Sequence, residues 1–172
     1  MKALATIILA VAATPTSAEV VSSSANGFEV RETVSLDVPP AAAFAAFGRV
    51  GSWWSGEHSF SGNAANLSLV LQPGGCFCER LPNGGGAQHL RVAFVDPGKR
   101  LVLTGSLGPL LFLATTGVMD VTFQPSGSGS RILLDYRAAG FFNGGADKIA
   151  PAVDGVLGEQ LARLKAYAAT TR

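Results

Sequence analysis

The sequence predicts an α+β fold in which a seven-stranded, curved antiparallel sheet wraps around one long C-terminal helix. Short apolar segments separated by Gly- and Pro-rich turns fill residues 67–140, which is typical of strands joined by hairpins. Residues 145–170 instead place apolar side chains at a helical period. The apolar face of a sheet must be covered, and this helix is the only predicted element long enough to cover it.

The first strand and the short helices after it are predicted from two adjacent patterns. In "FEVRETVSLDV", residues 28–38, apolar and polar side chains alternate, and Glu32 is the exception on the apolar face. "PPAAAFAAFGRV" then combines prolines that suit a first helical turn with strong helix formers, and Gly48 suits the end of a helix. The segment "GSWWSGEHSFSG", residues 51–62, follows as a loop or as the second of two short helices.

Six further strands follow this segment, and their short connections make them mostly antiparallel. "PNGGG" and "DPGK" are the clearest turns between them. In the terminal helix, Gly155 and Gly158 indicate either close packing against the sheet or room for a cavity beside the helix. The six strands are predicted at residues 67–71, 76–81, 87–95, 100–107, 117–123 and 131–140.

The N-terminus is typical of an export signal. Lys2 is followed by an apolar run too short to span a bilayer, and then by small residues that suit cleavage after Ala18. We therefore expect a signal peptide at residues 1–18, a flexible lead-in at residues 19–27 and a single domain at residues 28–170. The mature protein is expected in the periplasm or outside the cell, without a stable membrane anchor.

Charge and motif content exclude several classes of partner. The chain has 13 Lys and Arg against 12 Asp and Glu, a net charge of +1, and no basic run or stripe occurs. Nucleic acids and anionic membrane surfaces are therefore not expected as partners. No nucleophile elbow, phosphate-binding loop or dinucleotide-binding fingerprint is present, and no cofactor is expected. The sequence leaves the oligomeric state open.

Cys76 and Cys78 stand two residues apart on a predicted strand. Their Cβ atoms would lie about 6.6 Å apart, whereas a disulfide needs about 3.8 Å, so we expect two free thiols. The cysteines and the histidines, His58 and His89, could supply four soft ligands, but their spacing fits no familiar zinc site and no metal is expected. A redox role is not favoured because a C-x-x-C motif is absent. His89 shares a strand face with Arg91 and is expected on the outer face of the sheet.

The element order and several segments resemble the START/SRPBCC superfamily, whose helix-grip fold is shared by pollen-allergen-type lipid carriers, polyketide cyclases and activators of a heat-shock ATPase. The resemblance covers residues 28–168 and rests on "VSLDVPPAAAFAAF", "GGCFCER", "VAFVDPGKRLVLTG" and "VDGVLGEQLARLKAY". The chain looks most similar to exported bacterial SRPBCC-domain proteins that share its Trp-Trp, "GGCFCE" and "LGPL" elements. The resemblance implies an internal hydrophobic pocket but no particular reaction, because carriers and enzymes share the fold.

Such a pocket would have candidate walls and a polar anchor for a ligand. Trp53 and Trp54 would lie at its mouth, either as a wall for an apolar ligand or as a plug of the core. For the aliphatic and phenylalanine candidates the alternative is plain core packing, and for the tyrosine it is a hydrogen-bonded core position. The candidate ligand-binding residues are Trp53, Trp54, His58, Phe60, Phe77, Glu79, Leu107, Phe112, Met119 and Tyr136.

Three residues are candidates for acid-base chemistry. Glu79 shares a strand face with Phe77 and is expected to point inward. Glu32 lies on the apolar face of the first strand and is expected to point inward too. A carboxylate in an apolar hollow has a raised pKa unless it is paired, and it could then serve as a general acid or base, or as a ligand anchor. Pairing with an inward basic or tyrosine side chain is the alternative. His58 could assist at the mouth or fix its own loop through a hydrogen bond.

Three functions follow from these readings. The first is an exported protein that binds a small hydrophobic molecule, a lipid or an aromatic compound, in a cavity of roughly 300 Å³ or more. The second is a cyclase- or hydrolase-type enzyme, in which Glu79 or Glu32 and a second polar group converge in the cavity. The third is a protein-interaction module, which would expose an apolar patch of more than roughly 400 Å².

Overall fold

Residues 17–171 are described by a computed structural model, in which one antiparallel sheet curves around a long C-terminal helix. The predicted α+β class and helix-grip arrangement are confirmed, with eight strands instead of seven. The elements are β1 (Ser17–Ser24), β2 (Gly27–Leu36), α1 (Pro40–Gly48), β3 (Leu67–Leu69), β4 (Cys76–Arg80), β5 (Gly86–Asp96), β6 (Arg100–Gly105), β7 (Thr115–Ser126), β8 (Gly129–Gly140) and α2 (Ala150–Thr170). Across the sheet the strand order is β1-β2-β8-β7-β6-β5-β4-β3.

The terminal helix covers the inner face of the sheet. Leu157, Leu161 and Leu164 of α2 are fully buried, and alternate residues of β2 are buried opposite them. The helix starts at Ala150 instead of near residue 145. Gly144 and Gly145 have φ of +86° and +97°, outside the right-handed helical region, and Ala146–Lys148 form a 3₁₀ turn before the helix. No helix within residues 17–171 combines the length and the apolar character needed to cross a membrane.

The extra strand, β1, occupies most of the segment that we predicted to be a flexible lead-in. Its small, polar residues gave no apolar alternation, but its backbone pairs with β2 along the edge of the sheet. The signal that sequence reasoning missed is Asn26 before Gly27, a dipeptide that favours hairpin turns. Of the predicted signal peptide, residues 1–16 lie outside the described residues, and cleavage after Ala18 stays a prediction.

The tryptophan-containing segment is held between α1 and α2 by hydrogen bonds. The Trp53 indole N–H donates to Ala46 O at 3.0 Å, and Arg163 Nε donates to Trp53 O at 2.9 Å. The buried Gln160 Oε1 accepts from Ser55 N at 2.7 Å. A second α-helix is not formed here; the segment and its flanks instead contain three single 3₁₀ turns, Val50–Ser52, Gly56–His58 and Ala64–Asn66.

The prediction of two free thiols is wrong, because Cys76 and Cys78 form a disulfide on the outer face of β4. That prediction assumed a regular extended strand, with about 6.6 Å between residues two apart. The two Cα atoms are instead 5.3 Å apart, so β4 is shortened at Phe77. At the same place the ladder between β4 and β5 skips His89, which forms a β-bulge.

Candidate ligand-binding cavity

A cavity of about 300 Å³ lies between the inner face of the sheet and the first turns of α2. Its mouth is bordered by residues 57–60 and by residues 107–110, and the helix contributes Val153 and Val156. Most of its wall is aliphatic or aromatic, which suits the burial of an apolar molecule. Its volume agrees with the lower limit that the sequence analysis set for a ligand-binding protein.

The structure brings some of the predicted ligand-binding residues together and separates others. Trp53 and Met119 lie deeper, around a void of only about 10 Å³. Phe112 is 76% exposed and packs against Phe60 without lining the cavity itself, and the buried Glu79 does not line it either. The predicted residues that line the cavity are Trp54, His58, Phe60, Phe77, Leu107 and Tyr136.

The two tryptophans divide between the core and the cavity wall. Trp53 packs against Phe47, with 5.5 Å between ring centroids, and against Trp54 at 5.6 Å. Trp54 contacts the Phe77 ring at 5.5 Å, and its indole N–H donates to His58 O at 2.9 Å. Trp53 is therefore the plug of the core, and Trp54 is the wall of the cavity.

Glu79 is tied into a buried hydrogen-bond network in the cavity wall. Its carboxylate accepts backbone N–H groups from Phe60 at 3.1 Å and Ser61 at 2.5 Å, and its Oε2 lies 3.0 Å from His89 Nε2. Burial alone would raise the pKa of Glu79, but the hydrogen bonds from Ser61, Phe60 and His89 together lower it. Glu79 points inward, as predicted. It is also paired with a basic side chain, His89, which was the alternative to a free acid or base.

The prediction that His89 lies on the outer face of the sheet is wrong. The bulge inserts His89 as an extra residue between the pairs Phe77–Leu90 and Cys78–Gln88, so both His89 and Leu90 are buried. One extra residue reverses the face on which the preceding side chain lies. His89 thereby lines the cavity, a role that strand alternation cannot reveal.

Hydrogen bonds assign the proton on His89. Its Nδ1 accepts from Gly108 N at 3.2 Å, so Nδ1 carries no proton, and Nε2–H donates to Glu79. The imidazole consequently joins β4, the bulge of β5 and the loop that borders the mouth. Its ring lies 5.3 Å from both Phe60, which stacks on it, and Phe77.

Tyr136 is the polar group that β8 presents to the cavity. The side chain is fully buried, and its hydroxyl oxygen accepts from Leu107 N at 3.3 Å. Burial raises the pKa of Tyr136 to about 12, so the hydroxyl keeps its proton at neutral pH. Among the described residues that proton has no acceptor, so it is available to an acceptor atom on a bound molecule.

Glu32 is buried, as predicted, but it does not line the cavity. It lies beneath Gly158 of α2, where a Cβ atom would come within 3.3 Å of its Oε2, so this glycine serves close packing. Neither Glu32 oxygen receives a hydrogen bond from a donor within residues 17–171. Burial first, and then the neighbouring carboxyl of Asp154, raise the pKa of Glu32 to about 8.

His58 and the adjacent Glu57 both line the cavity at its mouth. His58 Nε2 is 3.1 Å from Glu159 Oε2 of α2, and both side chains are partly exposed. The histidine therefore links the loop to the helix. Of the three acid-base candidates, only His58 lines the cavity, and the two buried glutamates are held elsewhere.

The chain is similar in sequence to one known protein family. A sequence model of the family described as "Polyketide cyclase / dehydrase and lipid transport" matches residues 27–169. No curated protein matches the chain in sequence.

Similar solved structures show the same fold at low sequence identity. An uncharacterised protein from Rhizobium leguminosarum has a TM-score of 0.63 and 19% identity, covering 91% of this chain and 99% of its own. Ara h 8.0201 has a TM-score of 0.59 and 14% identity, covering 84% and 99%. CalU16 from Micromonospora echinospora has a TM-score of 0.59 and 12% identity, covering 88% and 83%.

Proposed function

The chain belongs to the polyketide cyclase / dehydrase and lipid transport family, and from that membership we propose an exported protein that binds a small hydrophobic ligand. The ligand, a lipid or an aromatic compound, occupies the cavity between the sheet and α2. The observation that carries this proposal is the cavity itself, with about 300 Å³ enclosed mostly by apolar side chains. Export is supported by the signal-like residues 1–18 alone.

The wall of the cavity favours a flat, mostly apolar ligand. Trp54, Phe60, Phe77 and Tyr136 present ring faces or edges to it, and aromatic rings pack well against other rings. The hydroxyl proton of Tyr136 offers one directional contact within the apolar wall. A ligand that carries a single carbonyl or hydroxyl oxygen satisfies this donor without leaving another polar group unpaired.

The positions of Glu79 and Glu32, the two predicted catalytic carboxylates, favour binding over the enzyme alternative. General acid-base catalysis needs a titratable group within hydrogen-bond reach of the substrate. Glu79 is committed to two backbone N–H groups and His89, and Glu32 lies beneath α2 instead of along the cavity. Neither glutamate therefore meets the geometric requirement that the enzyme hypothesis set.

Native mass spectrometry of the protein purified from the exported fraction tests this proposal. We expect a stoichiometric adduct, which organic extraction releases for identification. Protein stripped of that adduct should bind the neutral fluorophore aminoanthracene, and the extracted compound should displace it. A clean apo mass together with no binding of aminoanthracene would contradict the proposal. Recovery of the protein only from the cytoplasm would contradict export.

A further inference from the structure

The disulfide on the outer face of β4 lies directly behind the cavity wall. Cys76 and Cys78 are partly exposed, whereas Phe77 between them is buried and lines the cavity. The Phe77 ring contacts Trp54 at 5.5 Å and His89 at 5.3 Å. The disulfide therefore links the two residues that flank Phe77, and its sulfur atoms lie on the side of β4 opposite the cavity.

An arginine is the cross-strand neighbour of the cysteine pair. Arg91 is the cross-strand partner of Cys76, and Gln88 is the cross-strand partner of Cys78. Arg91 Nη1 donates to Gly74 O and Nη2 donates to Gln88 Oε1, each at 2.9 Å, so the guanidinium is held at the strand position opposite Cys76. A cation in this position stabilises a thiolate. Arg80 adds a second cation on the same face, two residues beyond Cys78.

The bond closes a ring of only three residues, and this makes it separable from the fold. A disulfide stabilises a protein chiefly by restricting the unfolded chain, and this effect is small when the closed loop is short. The strand itself is held by its ladders to β3 and β5. Opening the bond should therefore leave the sheet folded.

From these contacts we propose that Cys76–Cys78 is a thiol–disulfide exchange site whose partner is a dithiol, either a small molecule or a protein. One thiolate of the dithiol attacks Cys78 Sγ and forms a mixed disulfide, while the Cys76–Cys78 bond breaks and Cys76 leaves as a thiolate beside Arg91. The second thiolate of the partner then attacks the partner's own sulfur in the mixed disulfide, and the bond to Cys78 Sγ breaks. The partner ends as a disulfide, the cysteine pair has gained two electrons, and its two thiolates take up the two protons that the partner's thiols released.

Reduction also changes the cavity wall. Without the bond, the Cα atoms of Cys76 and Cys78 are free to separate from 5.3 Å towards the extended value of about 6.6 Å. Phe77 moves with that stretch of backbone. Because the Phe77 ring contacts the Trp54 ring, the surroundings of the Trp54 indole change as well. A change in ligand affinity would rest on the binding function proposed above, whereas the exchange reaction and the movement of Phe77 do not.

The test uses the full chain as purified under oxidising conditions. The protein is exposed to dithiothreitol without denaturant, quenched with an alkylating reagent and weighed intact. We expect no alkyl group before reduction, two after it, and an unchanged far-UV circular dichroism spectrum. Arg91→Gln should slow reduction about threefold to tenfold, because the leaving thiolate loses its cation. Arg131→Gln removes an exposed arginine four strands away and should leave the rate unchanged.

Tryptophan fluorescence checks the movement of the wall. Reduction should shift the emission of the wild type, and the double variant Cys76→Ser, Cys78→Ser should show the reduced spectrum with no response to dithiothreitol. Alkylation of the untreated protein, or reduction only in denaturant, would overturn the exchange site. Equal rates for the two arginine variants would overturn the role of Arg91. Identical spectra before and after reduction would overturn the coupling to Phe77.

Discussion

Glu79 Oε2 and His89 Nε2 lie 3.0 Å apart inside the cavity wall, although alternation along β5 would put this histidine on the opposite face of the sheet. The bulge makes the pairing possible, and the pairing supplies the buried carboxylate with a donor. Through Gly108, the same imidazole holds the loop that borders the mouth. The network therefore shapes the cavity without contributing a free acid or base to it.

Replacing the carboxylate of Glu79 should destabilise the protein. In Glu79→Gln, one amide oxygen replaces two carboxylate oxygens that accept from Phe60, Ser61 and His89, so a buried donor loses its partner. We expect the free energy of unfolding in urea to fall by about 1 to 3 kcal/mol. Glu19→Gln, on the exposed edge strand, is the matched control and should change it little. An equal fall in the free energy of unfolding for both variants would contradict a stabilising role of the Glu79 hydrogen bonds.

The lowered pKa of Glu79 also predicts a loss of stability in acid. The stabilisation is present above the ordinary glutamate pKa of 4.5 and is lost as the pH falls below it, through the lower pKa of the folded state. Urea titrations at several pH values between neutrality and strong acid should show this loss for the wild type. The slope should be shallower for Glu79→Gln, and an identical slope would argue against the assignment.

Glu32 should have the opposite effect in a different pH range. Because its folded pKa is raised from 4.5 to about 8, the stabilising contribution is complete below pH 4.5 and is lost as the pH rises towards 8. Between these limits, Glu32→Gln should make the free energy of unfolding less dependent on pH. Glu57→Gln, which removes an exposed carboxylate, should keep the wild-type slope. A wild-type stability that stays constant between pH 5 and 8 would contradict this prediction.

Filling the cavity should abolish binding without unfolding the protein. Val153 lines the cavity from α2, so Val153→Phe places a ring in the space that a ligand needs. We expect at least about tenfold weaker binding of aminoanthracene, measured by fluorescence titration. Ala162→Phe adds the same ring on an exposed position of α2 and should bind as the wild type does. Wild-type affinity in Val153→Phe would place the binding site elsewhere.

Removing the hydroxyl of Tyr136 should weaken binding selectively. In Tyr136→Phe the cavity loses its donor, so affinity for the ketone anthrone should fall about threefold to tenfold while that for the hydrocarbon anthracene stays constant. Calorimetric or fluorescence titration of both compounds gives the comparison. Tyr167→Phe alters the other tyrosine, which does not line the cavity, and should change neither affinity. A parallel loss for both compounds would indicate a change of shape instead of a lost hydrogen bond.

Regular periodicity accounts for the parts of the fold that could be predicted. Alternation correctly placed Glu32, Phe77 and Glu79 on the buried face, because β2 and β4 keep a period of two where those residues lie. The same rule failed for His89, because one inserted residue shifts every side chain before it to the other face. The rule cannot locate a bulge, since bulges depend on the pairing of two strands.

Features that depend on tertiary structure explain the remaining differences. The Cys76–Cys78 bond needed a local shortening of β4 that no propensity describes, and β1 is held by its pairing with β2 instead of by its own composition. For the tryptophan pair, the sequence leaves a core plug and a cavity wall open as alternatives. Only the packing of Trp53 against Phe47, and of Trp54 against Phe77, decides which residue takes which role.

The two outermost strands have a consequence for solubility. At one side the sheet ends in the three residues of β3, and at the other the β1 ladder skips Val21 between Val20 and Ser22. An open sheet with a long, regular margin can recruit strands from neighbouring molecules, and natural proteins prevent this with short or bulged margins. The short β3 and the irregular β1 therefore give this open sheet the kind of margin that disfavours strand recruitment.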